Sequence, residues 1–406
     1  MSEPYRPGPL AGLRVVEISS FVASPLGGMT LAQLGADVIR IDPVGGAPDV
    51  RRWPLAPSGV SLYWTGLNKG KRSVVIDLRS PAGQEAVQRL ISAPGEGGGI
   101  LLTNAAGRGF YSYSTLAQLR SDVIVVELTG RADGSPAVDY TVNAEIGFPL
   151  VTGPEELHAP VNHVLPAWDV ACGLYAALAI VAAERSRRLT GAGSHITAAL
   201  SDVALATAGN LGLLAEAELG GVRPRIGNHL FGGFAHDFAT ADGQRVMVVA
   251  LTPRHFRDLV ELCGVGAAVD AVEAALKADF GTDGDRYEHR EVLLGLVRPW
   301  FSSRSLAEVS AGLGATSVLW SVYRTFAQAL GDAAANPMLS VLDQPGVGSY
   351  LAPGSPLAFS GHARTPAPAP RLGEHTAEVL RAVAGYSESE IDQLVAAGAV
   401  AGAAGG

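Results

Sequence analysis

Residues 12–41, GLRVVEISSFVASPLGGMTLAQLGADVIRI, decide the fold. Residues 13–18 (LRVVEI) form a short apolar run of the kind a buried parallel strand shows. Ser24 followed by Pro25 reads as a helix start, a hydroxyl cap and then proline at the first helical position. The helix is expected to run to about Leu34, where Gly35 can end it, and residues 36–41 (ADVIRI) return as a second strand. Strand, helix and strand make a βαβ unit, right-handed by the usual rule, and imply an α/β layered fold.

The alternation continues outward from that unit. Residues 73–77 (SVVID), 100–104 and 123–128 read as strands, with helical stretches at 81–91 and 116–119 between them. A long apolar helix is expected over 168–187, closed by TGAGS, then a strand-like run at 195–200 and a helix over about 202–218. After Gly220 the character changes. Residues 238–251 read as a hairpin around Asp242-Gly243, followed by helices and polar connections to about Ala327. The proline-rich stretch 346–371 reads as an extended strap, 373–384 as a closing helix, and the tail AGAAGG as disordered. These readings predict a large domain over 1–220, a smaller one over 221–335, and a segment, 336–406, that rejoins the first.

Composition narrows the function. With 48% hydrophobic and 17% charged residues, the 406-residue chain has the profile of a compact, well-buried protein. Cys172 and Cys263 are far apart and lack a metal-type spacing, which argues against a disulfide framework and fits a reducing cytosol. The first residues lack the basic, apolar, cleavable layout of a signal peptide, so a cytoplasmic protein is expected. The longest apolar run, 170–183, is too short and too rich in Ala and Gly to be expected to span a membrane. A net charge of −9 argues against general nucleic-acid binding. Residues 40–79 nevertheless hold seven Lys or Arg against three Asp or Glu, which marks a candidate anion site or a solvated charged surface.

Three places carry possible chemistry. The first turn, SSFVASPLGG, lacks GxGxxG, so the dinucleotide reading that Asp42 invites fails for want of glycines. The helix start at 23–27 can still receive an anion or a polar acyl group. NKGKRS (68–73) sets Lys69, Lys71 and Arg72 around a glycine, either as a phosphate clamp or as an ordinary basic loop. Asp169, in VLPAWDVACGLYAALAIVAAER, opens an almost wholly apolar helix. An Asp there is commonly a cap. The same position also favours an ionised carboxylate, partly dry beside Trp168 and able to act as a nucleophile. His163 can reach the same place, and His375 sits in LGEHT, but no HExxH, paired-histidine or GxSxG pattern occurs, so neither a metal nor a serine nucleophile is expected.

The strings GLRVVEISSFVASPLGGMTLAQLGADVIRIDP, NKGKRSVVIDLRSPAGQE, PAWDVACGLYAALAIVAAERSRRLTGAGS and PAPAPRLGEHTAEVL occur in order over nearly the whole chain. Together they resemble the class III CoA-transferase family, which also contains α-methylacyl-CoA racemases. The resemblance implies an α/β fold: a Rossmann-like large domain built from both chain ends, a smaller α+β domain, and two subunits interlocked as a homodimer. It aligns Asp169 with the family's catalytic aspartate and puts Ala23, Ile76, Arg79, Asn104 and Arg108 where members contact CoA. Lys69, Lys71 and Arg72 are added as phosphate partners, and Asn162 and His163 as candidates for a distal carboxylate of the acyl group. CoA enters as part of the substrate, with no further cofactor.

Within that family, FVASPLGGMTLAQLGADVIR, GLNKGKRS, SAPGE, VDYTVN and VNHVLPAWD resemble a subgroup whose members move CoA between two carboxylates of one molecule, and this resemblance implies the same reaction here. The alternatives are an intermolecular transferase acting on another dicarboxylic acid, a racemase, and a non-catalytic CoA-binding protein. Two departures bear on them. The lysine that transferases often carry before the segment at Asp139 is missing from SPAVDY. The position matching the racemase histidine is Val138, which counts against a reaction that needs an acid and a base on opposite faces.

Overall fold

The opening βαβ unit consists of β1 (Arg14–Ile18), α1 (Ala23–Gln33) and β2 (Asp37–Asp42), with β1 and β2 paired in parallel from Arg14↔Asp37 to Ile18↔Ile41. The computed structural model describes residues 8–105, 109–362 and 364–402. One unit comprises Met1–Ile146, His163–Ala215 and Ala334–Gly406, and the other Gly147–Asn162 and Glu216–Ala333. The stretch Gly147–Asn162, read from sequence as part of the large domain, thus belongs with the small one. A local reading misses this because the partners lie far along the chain: the Arg225 guanidinium donates to the carbonyls of Leu150, Leu157 and Ala159.

In the first unit the chain continues through α2 (Leu62–Leu67), β3 (Arg72–Ile76), α3 (Pro81–Ser92), β4 (Ile100–Thr103), β5 (Ile124–Thr129), α4 (Asp139–Glu145), α5 (Ala167–Thr190), β6 (Ser194–Ala199) and α6 (Leu200–Asn210). Parallel strands in the order β3-β2-β1-β4-β5-β6 make a doubly wound sheet whose inner strands are buried on both faces as their apolar runs require, while β6 leaves His195 and Thr197 exposed. Its core includes Val16, Ile18, Ile39, Ile41, Val74, Ile76 and Leu101, each at most 4% exposed. Ser24 is not the cap of α1. The helix opens two residues earlier than expected, with Val22 as the capping position and Ala23 first, and the Ser24 hydroxyl lies buried in the first turn with no partner among the described residues.

α5 is long and apolar enough to cross a bilayer by length and composition, yet one side of it packs along α1, β5 and β6, and the other side is exposed. Glycines set how closely α1 and α5 approach. A Cβ at Gly173 would sit 2.5 Å from the Ala23 carbonyl oxygen, and one at Gly27 would sit 2.9 Å from the Gly173 carbonyl oxygen. Gly173→Ala is therefore expected to force the helices apart and cost about 1–3 kcal/mol in thermal or urea unfolding. Because Asp169 lies one turn away on α5, kcat is expected to fall by about 10-fold or more.

The second unit carries β7 (Phe234–Ala239), β8 (Arg245–Ala250), α7 (Pro253–Cys263), α8 (Arg290–Ser302) and β9 (Leu319–Val322). β7 and β8 form the expected hairpin, turning at Asp242-Gly243, with Gly243 at φ +75°. β9 joins as a third antiparallel strand. Phe238 stacks on Phe301 at 4.1 Å in the core of this unit.

The chain then returns to the first unit. Part of the expected strap is instead a hairpin, β10 (Leu339–Gln344) with β11 (Gly348–Pro353). α9 (Thr376–Ala382) and α10 (Glu388–Ala396) follow, and β12 (Val400–Ala401) adds an antiparallel edge beside β3. The last four residues of the tail lie outside the described residues.

Candidate active site

Strand order reverses between β1 and β4, and doubly wound sheets bind ligands in the crevice beyond the strand ends at such a point. Asn104, just after β4, clamps the opposite loop: the Ser20 N–H donates to Oδ1 at 3.1 Å and Nδ2 donates to the Ser20 carbonyl at 2.8 Å. Ala23, buried at the start of α1, lies at the same reversal. The next residue along the loop from Ser20, Phe21, adopts φ +66°, a left-handed conformation unusual for an aromatic residue. Its N–H donates to Asp49 Oδ2 at 3.1 Å. Strain of this kind costs on the order of 1–3 kcal/mol and persists where surrounding contacts over-determine it.

Asp169 occupies the third position of α5, and Ala23 on α1 lies against the next turn of that helix. The cap of α5 is a different carboxylate, reaching in from α4. Asp139, 2% exposed, accepts from the Trp168 N–H at 2.8 Å and the Asp169 N–H at 3.2 Å through Oδ2. Its Oδ1 lies 2.8 Å from His163 Nε2. Trp168 is pinned through Nε1 to Asn143 Oδ1 at 3.1 Å, and Tyr140 meets the His163 ring edge-on at 6.2 Å.

These surroundings reverse one expectation. The helix start was expected to favour an ionised Asp169, but its first amides are already taken by Asp139. Burial, together with the neighbouring Asp139 charge, pushes the Asp169 pKa up to about 6 against the opposing pull of Arg52. A carboxyl poised there is ionised at neutral pH yet more basic than an ordinary aspartate, which suits a nucleophile. Cys172, three residues on, has its thiol pushed up to about 12 by burial and by Asp169, so it offers no competing nucleophile.

The basic run is already partnered inside the protein. Lys71 is buried, with Nζ 2.9 Å from Glu17 and donating to the Pro25 carbonyl and Asn68 Oδ1. Arg72 pairs with Asp37 and Glu378, and buried Lys69 donates to the Gly66 carbonyl at 2.7 Å. Lys71→Met would leave Glu17 with the Ser19 hydroxyl at 2.7 Å and, as its nearest cation, Arg40 at 3.8 Å. It is expected to lower unfolding free energy by about 3 kcal/mol in a denaturant titration.

The Ile76 side chain is fully buried in the sheet core and therefore closed to a side-chain contact with a ligand. The Arg79 side chain is 89% exposed with only a 3.3 Å contact to Asp77, so it is available to an anion. Arg108 lies outside the described residues, and the unit boundary falls between Asn162 and His163, so that Asn162 counts with the second unit and His163 with the first. Sequence reasoning missed Asp139 and counted Arg52 only as one of the seven cations between 40 and 79. Asp139 did carry one signal, since it opens a helix inside the VDYTVN string, as Asp169 opens its own.

The profile of CoA-transferase family III matches residues 10–376. The 2-methylfumaryl-CoA isomerase of Chloroflexus aurantiacus is 51% identical over 402 residues, 97% of this chain and 98% of its own. The succinate–glutarate CoA-transferase of Agrobacterium fabrum is 28% identical, over 93% and 96% of the two chains. A CaiB/BaiF family protein from Brucella suis superposes with a TM-score of 0.75 at 26% identity, over 92% of this chain and 99% of that one.

Proposed function

Because the chain belongs to CoA-transferase family III, we propose that it isomerises 2-methylfumaryl-CoA (mesaconyl-C1-CoA) to 3-methylfumaryl-CoA (mesaconyl-C4-CoA) by moving CoA between the two carboxylates of one molecule. The observation that carries the chemistry is the half-buried Asp169, poised near pH 6 beside the sheet's reversal point. The full-length likeness to the Chloroflexus isomerase supplies the substrate.

Ionised Asp169 attacks the C1 thioester carbonyl, expelling CoA thiolate and forming a mixed anhydride. The thiolate attacks the aspartyl carbonyl, expelling mesaconate and leaving an aspartyl–CoA thioester. Mesaconate turns end for end, and its C4 carboxylate attacks that thioester, again expelling the thiolate. Attack of the thiolate on the C4 carbonyl gives the product and regenerates Asp169. Both intermediates hydrolyse readily, so burial of the nucleophile protects them. A retained diacid also has a high effective concentration beside the thioester. CoA itself is assigned, on the family resemblance, to Ala23, Asn104, Arg79 and Arg108.

The exposed apolar side of α5, with Leu174, Tyr175 and Leu178 each at least half exposed, supports a homodimer in which a second copy covers it. Light scattering after gel filtration should give the mass of two chains. Two free thiols accord with a cytoplasmic setting.

The reading is tested by incubating purified protein with mesaconyl-C1-CoA and isotopically labelled free mesaconate. Conversion to the C4 isomer without label in the product is expected. Label in the product would replace this reading with intermolecular transfer, and no conversion would remove the substrate.

A further inference from the structure

We propose that Arg52 binds the carboxylate of the acyl group that is not reacting, and thereby restricts the enzyme to dicarboxylic thioesters. This rests on the isomerase reading above.

Arg52 follows the short 3-10 turn Pro48–Arg51, and its guanidinium lies over two rings, 5.6 Å from the Phe21 centroid and 5.0 Å from that of Tyr63. Contact through the faces of a guanidinium leaves its N–H edges free for a planar carboxylate. Among the described residues no carboxylate pairs with Arg52, whereas Arg40, Lys71 and Arg72 are all paired within the protein. The platform is fixed from beneath. Asp49 accepts from the Phe21 N–H and is itself ion-paired with fully buried Arg40 at 3.1 Å. The buried ion cluster therefore holds the aromatic seat of an unpaired cation.

That cation sits over Phe21, two residues before Ala23, whose carbonyl lies against Gly173 one turn beyond Asp169 on α5. Its charge opposes the rise in the Asp169 pKa, and both Arg52 and Asp169 act on the Tyr63 hydroxyl. A trans-butenedioate carries its carboxyl groups at opposite ends. When C1 meets Asp169, the C4 carboxylate reaches towards Arg52, and after the diacid turns, the C1 carboxylate takes that place. One cation thus serves both half-reactions and keeps hold of the freed diacid between them.

The test is a binding titration that needs no turnover. Mesaconyl-C1-CoA is compared with 2-methylcrotonyl-CoA, in which a methyl replaces the distal carboxylate, on Asp169→Ala and on Asp169→Ala carrying Arg52→Gln. The preference for the dicarboxylic thioester is expected to fall by about 10²-fold with Arg52→Gln, and in part with Arg52→Lys. The affinity for 2-methylcrotonyl-CoA should stay unchanged, which also reports an intact fold. A preference that survives Arg52→Gln, or two affinities that fall together, would overturn the assignment. Failure of the wild-type protein to convert mesaconyl-C1-CoA would instead count against the isomerase reading, leaving the titration valid for Arg52.

Discussion

Asp169→Ala loses CoA transfer, with kcat down by about 10⁴-fold or more, while the thioester still binds. The size follows from the absence of a substitute among the neighbours. Cys172 is buried with its thiol pushed up to about 12, and Asp139 is committed to the Trp168 and Asp169 amides and to His163. Steady-state kinetics measure the loss, and mass spectrometry of wild-type protein quenched with substrate should show a CoA adduct that the variant lacks. A variant retaining more than a hundredth of the activity would mean that Asp169 is not the nucleophile.

The same substitution should stabilise the fold. A carboxyl raised from 3.8 to about 6 binds its proton more tightly folded than unfolded. Its ionised form therefore destabilises the protein above pH 6, by on the order of 2 kcal/mol, and this penalty disappears as pH falls through 6 towards 4. Asp169→Ala should accordingly raise the melting temperature at pH 8 but not at pH 4. A gain in stability that accompanies a loss of function is what a strained functional group predicts.

What the sequence made legible was local. The βαβ opening could be read because β1, α1 and β2 follow one another, each with its own apolar pattern and turn residue. Asp169 stood out by its apolar helix, though only the full-length resemblance separated a nucleophile from a cap. The charge run at NKGKRS misled for the converse reason. Sequence displays a lysine's charge but not its partner, and Glu17 meets Lys71 from 54 positions away. Asp139 was hidden in the same way, 30 positions before the amide that it caps. Ser24 followed by Pro25 looked like a cap because capping is a local rule, yet the packing of α1 against α5 starts the helix at Ala23. Arg52 was legible only as one of the seven cations between 40 and 79, with nothing local to set it apart from those that the fold pairs internally.

Asp139→Asn tests whether that hidden carboxylate tunes the nucleophile electrostatically or only holds a helix end. In the wild-type protein, kcat/KM should fall as pH drops through about 6, because Asp169 must be ionised to attack. Burial contributes most to that position and is untouched by the substitution, whereas the Asp139 charge is the second cause and is removed. The acid limb of the variant should therefore move to lower pH, with the sign fixed by the loss of a like charge. An amide oxygen can still accept from the Trp168 or Asp169 N–H, so the cap survives in part and unfolding should weaken by no more than about 1 kcal/mol. Above the limb the less basic Asp169 attacks more slowly, and its altered tether misplaces it. A decrease in kcat of about 10²-fold is expected, with a small change in KM. Asp139→Ala, which loses the cap as well, should share the shifted limb and unfold more readily. If both variants lose activity while the limb stays near 6, Asp139 acts only as a brace, and the basicity of Asp169 comes from burial alone.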